Sequence, residues 1–241
     1  MNKYSFIIPC YNCSQFIEKN ILRLLRKLKN IKIIYEIILI DDGSTDETFK
    51  TLKKINLSNK KIRILKNHLN IGKSFSSIKG IKNSKYQRII LLDCDLPYFS
   101  DLKKIIFELN KGYDLVTINR KMEQSKLISK NLNLYQLTRY IIGGLIAVVN
   151  LKILKLKIKG GDSQAGLKGF KKFKNFNNVK FLSKKFFFDL ELISLYSKKN
   201  LSIKSVKTNY SVPSKSSIKI FNFSKNFEIL CELIKVIKKY K

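Results

Sequence analysis

Histidine and cysteine are scarce in this 241-residue chain, which has one histidine, His68, and four cysteines. Cys10 and Cys13 form a single CxxC pair, no second pair stands at zinc spacing, and His68 is far away in sequence. A structural zinc site therefore lacks its ligands. Spacing alone leaves two readings of the CxxC pair, a thioredoxin-type redox motif or plain reduced thiols of a cytosolic protein. Long hydrophobic runs are also missing. The longest, Ile141 to Val149, ends at Asn150 and Lys152 and is too short to span a bilayer. Met1-Asn-Lys-Tyr leads directly into a strand-like run, so no signal peptide is expected. There is no internal repeat and no long low-complexity linker. No RNP-like aromatic strand or helix-turn-helix signal is present either, so nucleic acid is not the expected partner.

Acids are few, 17 Asp+Glu against 49 Lys+Arg, for a formal net charge of +32. Residues 151–241 hold 22 lysines, no arginine and five acids, a net +17, so the basic charge is densest there. Lysine-heavy composition bias accounts for the larger share. A basic face that meets anionic lipid or polyphosphate accounts for the local density. The apolar fraction of 44% is that of a globular protein, and the length suits one well-packed domain with a small appendage.

Two periods alternate through the first half. Strands are expected at Tyr4–Ile8, Tyr35–Ile40, Ile62–Leu65, Gln87–Leu92 and Asp114–Ile118, each a short apolar run. Helices are expected at Ser14–Lys29 with Ser14 as N-cap, Thr45–Ile55 with acids in its first turn, Gly72–Ile81 and Asp101–Leu109. Strands separated by single helices predict a mostly parallel sheet, so residues 1–120 read as a three-layer α/β unit. Leu132–Ile158 is a long apolar stretch, either an interfacial helix pair on a membrane or a core helix. A polar loop at 160–168, a helix opened by Phe186-Phe-Phe-Asp-Leu-Glu191, a strand-like Leu201–Val206 and a basic segment at Ser214–Lys219 follow. A lysine-rich amphipathic helix, Asn226–Tyr240, ends the chain.

Asp93-Cys94-Asp95 directly follows the apolar run Arg88–Leu92. Two carboxylates aimed into one small volume resist ionising together unless a cation lies between them. A divalent metal with oxygen ligands is the usual resolution, and such ions commonly carry nucleotide phosphates. In a parallel sheet, ligands collect beyond the carboxyl ends of the strands. Pro9–Asn12, Asp41–Ser44, Asn70–Lys73 and Asp93–Asp95 all fall there, which points to a nucleotide site.

Together these stretches resemble glycosyltransferase family 2, inverting enzymes of the GT-A fold. FIIPCYN, EIILIDDGSTDET, LNIGKSFSSIKGI and IILLDCDLP are similar to that family's successive blocks. VTINRK, LTRY, GGDSQAGLKGF and FFFDLELI follow in the order of the branch similar to dolichyl- and polyprenyl-phosphate sugar synthases. The resemblance implies a Rossmann-like, mostly parallel sheet flanked by helices, with a C-terminal helical, membrane-associating part. Residues 1–220 would form the catalytic domain and 221–241 the basic amphipathic C-terminal helix.

The resemblance also implies roles. Pro9, Tyr11 and Asp41 would hold the base and ribose of the donor, and Asp42 would support their loop. Gly43 would allow a tight turn or merely punctuate the strand end, and Lys73 would approach the phosphates or cap its loop. Asp93 and Asp95 would bind Mg²⁺ or Mn²⁺, with Asp95 catalytic together with Arg120 and Arg139. Those two arginines match phosphate-binding positions, a task that suits the planar guanidinium fork. Asp162, Gln164 and Lys168 would line the sugar and acceptor side. Cys13 and Pro97 depart from the branch, which often has Glu and a metal-ligating Gln at these positions.

The expected activity is transfer of a hexose from UDP- or GDP-hexose to a polyprenyl (dolichyl or undecaprenyl) phosphate, with inversion. The alternative is extension of a surface polysaccharide on a sugar hydroxyl, with Asp189 or Glu191 as base. An anionic membrane surface is the expected partner, and the expected location is the cytoplasmic face of a membrane.

Overall fold

The computed structural model describes residues 1–120, 126–127, 143–144, 146–156, 158, 161–210 and 223–241. Arg139, Tyr140, the basic segment 214–219 and the first part of the Leu132–Ile158 stretch, 132–142, lie outside these residues. The chain runs β1 (Lys3–Cys10), α1 (Ile17–Lys29), β2 (Ile34–Asp42), α2 (Thr48–Ser58), β3 (Ile62–Asn67), α3 (Lys73–Lys82) and β4 (Arg88–Leu92). It continues with α4 (Leu102–Asn110), β5 (Leu115–Asn119), β6 (Lys126–Leu127), β7 (Leu167–Lys171), a helix Phe188–Lys198, β8 (Ile203–Lys207), β9 (Asn209–Tyr210) and a helix Phe223–Tyr240.

Seven strands form one sheet in the order β3-β2-β1-β4-β7-β5-β8, and β6 pairs with β9 in a small ribbon. β1 is parallel to β2 and β4, β2 to β3, and β5 to β8. β7 is antiparallel to both of its neighbours. Sequence periodicity does not foresee it, because Leu-Lys-Gly-Phe-Lys carries a central glycine and two lysines in place of apolar alternation. β5 is consequently separated from β4, although a single helix connects them.

Alternate residues of a strand face opposite sides, and this splits the core in two. Tyr4, Phe6 and Ile8 of β1 pack with Ile17, Ile21 and Leu24 of α1, Leu52 of α2 and Ile105 of α4. Ile7, Ile38 and Ile40 pack on the other face with Ile81 of α3 and with Leu192 and Tyr196. Val236 and Tyr240 of the C-terminal helix join this second cluster. Leu154, Leu156 and Ile158 also enter it, whereas Val148, Leu151 and Ile153 are exposed. No helix among the described residues is long and apolar enough to cross a membrane.

Two helix starts differ from the sequence expectation for one reason. Ser14 does not cap α1; its amide and hydroxyl both donate to Asp46 Oδ2, at 3.1 and 2.7 Å. The helix starts at Ile17 instead, and its amide donates to Cys13 O. Asp46 also accepts from Thr48 N at 3.0 Å, so the acids precede α2 rather than occupying its first turn. A clip between the two loops has taken up both Ser14 and Asp46.

Candidate active site

β1, β2, β3, β4 and β5 deliver their carboxyl ends to one edge, and antiparallel β7 brings its amino end there. The polar loops predicted from sequence therefore meet along a single rim.

At β2, Asp41 is fully buried. Its Oδ1 accepts the Ser44 amide at 3.3 Å, and Oδ2 has no hydrogen-bond partner. A buried carboxylate oxygen left without a donor suits an incoming N–H or hydroxyl. Tyr11, the residue after β1, is 44% exposed, while Pro9 sits within β1 opposite Ile40 and Cys10 opposite Asp41. Asp42 turns to the protein. It accepts from Asn67 Nδ2 (2.9 Å), Ser76 Oγ (2.8 Å), Ile71 N (3.2 Å) and Gly72 N (3.0 Å). Gly43, at φ +66°, is more than punctuation, because a Cβ there would come within 2.4 Å of the Leu69 backbone.

At β4, Asp93 and Asp95 leave the strand with Cys94 between them. Lys73, the first residue of α3, places Nζ 2.5 Å from Asp93 Oδ1. Desolvation and the neighbouring Asp93 charge raise the Asp95 carboxyl above its ordinary value. Burial would lower the Lys73 ammonium, but the charges of Asp93, Asp189 and Asp95 outweigh it and raise it. Gly166 supports Asp93 from below. Its carbonyl accepts the Asp93 amide at 3.1 Å, and an added Cβ would lie 2.3 Å from Asp93 Oδ2.

Three free thiols, Cys10, Cys13 and Cys94, lie together nearby, the first two of them buried. Cys13 bonds to both Cys10 and Cys94, and the bond to Cys10 together with burial pushes its thiol up to about 12. All four cysteines are free, and a protonated thiol is a poor nucleophile.

At β5, Arg120 meets Asp162 in a fork, Nε to Oδ2 at 2.7 Å and Nη2 to Oδ1 at 2.8 Å. Burial pushes the Asp162 carboxyl up, but the Arg120 bonds and charge prevail and hold it below the usual range. Gln164 donates its amide to Asp162 Oδ1 at 3.2 Å. Lys168 is fully buried in β7. It donates to Ala165 O and lies 3.2 Å from Asp189 Oδ1, so its ammonium touches protein groups. Asp162 and Lys168 thus position other residues here instead of lining an open acceptor surface. Glu191, named from sequence as a possible base, is fully buried. It accepts from the Leu182 and Ser183 amides, Lys239 Nζ and Tyr240 Oη, which makes it an internal anchor. Arg139 lies outside the described residues.

Sequence reading missed Tyr98, which bonds to Arg120, and Asn150, which donates to Gly161 O at 2.7 Å and Ser163 Oγ at 3.0 Å. Neither carries a local signal, since each acts on a residue distant in sequence.

Among the described residues no group of three or more His, Cys, Asp or Glu converges as a metal set. A divalent ion would have Asp93 and Asp95 from the protein and would need its other oxygens from a diphosphate and water.

The family model "Glycosyl transferase family 2" matches residues 5–158. An uncharacterized glycosyltransferase of Synechocystis is 36% identical over 126 residues, covering 51% of this chain and 39% of its own length. The undecaprenyl-phosphate 4-deoxy-4-formamido-L-arabinose transferase of Proteus mirabilis is 28% identical over 132 residues, covering 54% and 40%. The chain thus spans about two-fifths of the length of these curated relatives. Glucosyl-3-phosphoglycerate synthase of Mycobacterium tuberculosis, solved with Mn²⁺, UDP and phosphoglyceric acid, superimposes with a TM-score of 0.70 at 15% identity. It covers 98% of this chain and 78% of the synthase. That likeness shows the fold, which is of the GT-A kind.

Proposed function

The chain belongs to glycosyl transferase family 2, and from that premise we propose that it moves a hexose from a UDP- or GDP-sugar to a polyprenyl phosphate, inverting the anomeric carbon. The observation that carries this reading is the rim itself, where Asp41, the Lys73–Asp93 pair with Asp95, and the Arg120–Asp162 fork follow one another. That order suits a donor whose base lies over β2 and whose diphosphate lies over β4. Undecaprenyl-phosphate transferases among the relatives support the acceptor class.

The donor set fits Mg²⁺ or Mn²⁺: two neighbouring carboxylates, one of them raised by burial and by the charge of the other, are oxygen ligands that favour a cation between them. When bound, the ion would act as a Lewis acid for the departing nucleoside diphosphate. Asp41 would take a base N–H or ribose hydroxyl on its free oxygen, with Tyr11 and Pro9 beside it. Lys73 would meet the phosphates. Asp162 would hold Arg120 with one guanidinium edge, leaving the N–H groups that neither Asp162 nor Tyr98 takes for an acceptor phosphate, with Arg139 assigned to the same task. Gln164 stands next to that fork, and Lys168 would set the position of Asp189. The acceptor phosphate is already anionic, so no strong base is needed, and alignment of two anions by fixed cations lowers the barrier. Exposed Leu230 and Ile234 beside lysines of the C-terminal helix, with the charge of residues 151–241, support binding to an anionic cytoplasmic leaflet.

Transfer to a sugar hydroxyl is the second reading, with Asp189 as its base: the carboxylate is buried, and its Oδ1 is held 3.2 Å from Lys168 Nζ. A panel of nucleotide sugars, offered with undecaprenyl phosphate or with oligosaccharides, separates the two. Label in an organic-extractable, mild-acid-labile product is the expected result, and label only in oligosaccharide would overturn it.

A further inference from the structure

The cation that Asp93 holds in this structure is the chain's own. Lys73 Nζ lies 2.5 Å from Asp93 Oδ1, and that oxygen is buried. Oδ2 packs over Gly166, where even a methyl group would come within 2.3 Å. The ammonium therefore covers the carboxylate oxygen that does not face Gly166.

The backbone beneath Lys73 is tightly fixed. Asp42 takes the amides of Ile71 and Gly72. Lys185 O and Lys184 O accept from Ser74 N and Phe75 N, at 3.4 and 3.1 Å. Gly72, at φ +102°, lets this second strap close in, since a Cβ would lie 2.8 Å from Lys184 O. What remains free is the side chain, 41% exposed on a flexible four-carbon stem. A small rotation of that stem can take the ammonium off Asp93 without moving α3.

We propose that Lys73 is a resident counter-ion of the acidic pair, so that a divalent cation binds Asp93 and Asp95 only together with a nucleoside diphosphate. This rests on the metal-dependent reading above. Without the nucleotide, an incoming dication must displace the ammonium and then remain beside it, two like charges sharing two carboxylates. A diphosphate adds enough negative charge to accept both, drawing Lys73 onto its oxygens and releasing Asp93. Metal and donor would then bind as a unit, and the acid pair would never stand with its charge uncompensated.

The test titrates Mn²⁺ into the full-length protein and follows the free-ion electron paramagnetic resonance signal, with no turnover involved. Wild type should bind Mn²⁺ weakly alone and at least tenfold more tightly with UDP or GDP present. Lys73→Met should bind Mn²⁺ alone at least about tenfold more tightly than wild type, the floor set by removing one positive charge at contact distance even at the dielectric of water. Lys73→Arg should remain weak, because it keeps the charge. Circular dichroism checks that both variants are folded. If wild type takes up Mn²⁺ with a nucleotide but Lys73→Met alone binds no better than wild type, the counter-ion role is wrong and the metal reading survives. If wild type takes up no Mn²⁺ with either nucleotide, both fall.

Discussion

Asp162 grips Arg120 at both ends: Nε and Nη2 meet its two oxygens at 2.7 and 2.8 Å, and the Arg120 amide adds a third bond at 2.9 Å. Removing one partner of so buried a pair leaves the other uncompensated. Asp162→Ala should therefore lose about 3 kcal/mol in urea unfolding. The folded carboxyl titrates below the usual range, so its contribution is present above the ordinary carboxylate pKa and is lost as pH falls through the depressed value. The stability gap between wild type and Asp162→Asn should be constant near neutrality and shrink in strong acid.

Asp42 holds four donors, two of them amides of the strap that precedes Lys73. Asp42→Ala takes the acceptor from the Ile71 and Gly72 amides and the Ser76 hydroxyl, while Asn67 keeps Ser76 Oγ, a loss of about 3 kcal/mol. Amide exchange at Ile71 and Gly72 should accelerate more than exchange in α1.

Asp95→Asn should abolish transfer while the protein stays folded. The raised Asp95 carboxyl favours the folded state in acid, and that advantage is lost as pH rises through the ordinary value into the raised one. The neutral Asn variant should accordingly be at least as resistant to urea as wild type at pH 7, with the difference closing in acid. Full activity of this variant, or of wild type in excess chelator, would sink the metal mechanism.

Gly166→Ala should reduce kcat/KM at least tenfold, because its methyl would push Asp93 Oδ2 and the Pro97 ring, 2.3 and 2.9 Å from the added carbon. A one-ångström displacement of a positioned group is enough for losses of this size. Wild-type kinetics in this variant would show that the acidic loop yields freely.

Glu232, on the C-terminal helix, accepts the Ser183 hydroxyl and the amides of Lys185, Phe186 and Phe187. The carbonyls of Lys184 and Lys185 in turn receive the first-turn amides of α3. Glu232→Gln should speed exchange at 183–187 and at Ser74 and Phe75 together. Acceleration confined to the C-terminal helix would break that link.

The strand and helix alternation through Asn119 was legible in the sequence because apolar periodicity is a local property, written within each element. So were Asp41, Asp42, Asp93 and Asp95, since the carboxyl ends of parallel strands gather on one edge whatever the side chains elsewhere. Partners distant in sequence were not legible. Inserting β7 between β4 and β5 needs ladder partners on two strands at once, and its own glycine and lysines carry no sign of that. The burial of Lys168 follows from the same insertion, and so does the approach of Gly166 to Asp93. Arg120 could be marked as an arginine suited to phosphate, but only tertiary packing decided that Asp162, 42 residues on, occupies one edge of it. Lys73 is the sharpest instance. Sequence placed it at the start of a helix, and the fold decided which carboxylate its charge would meet.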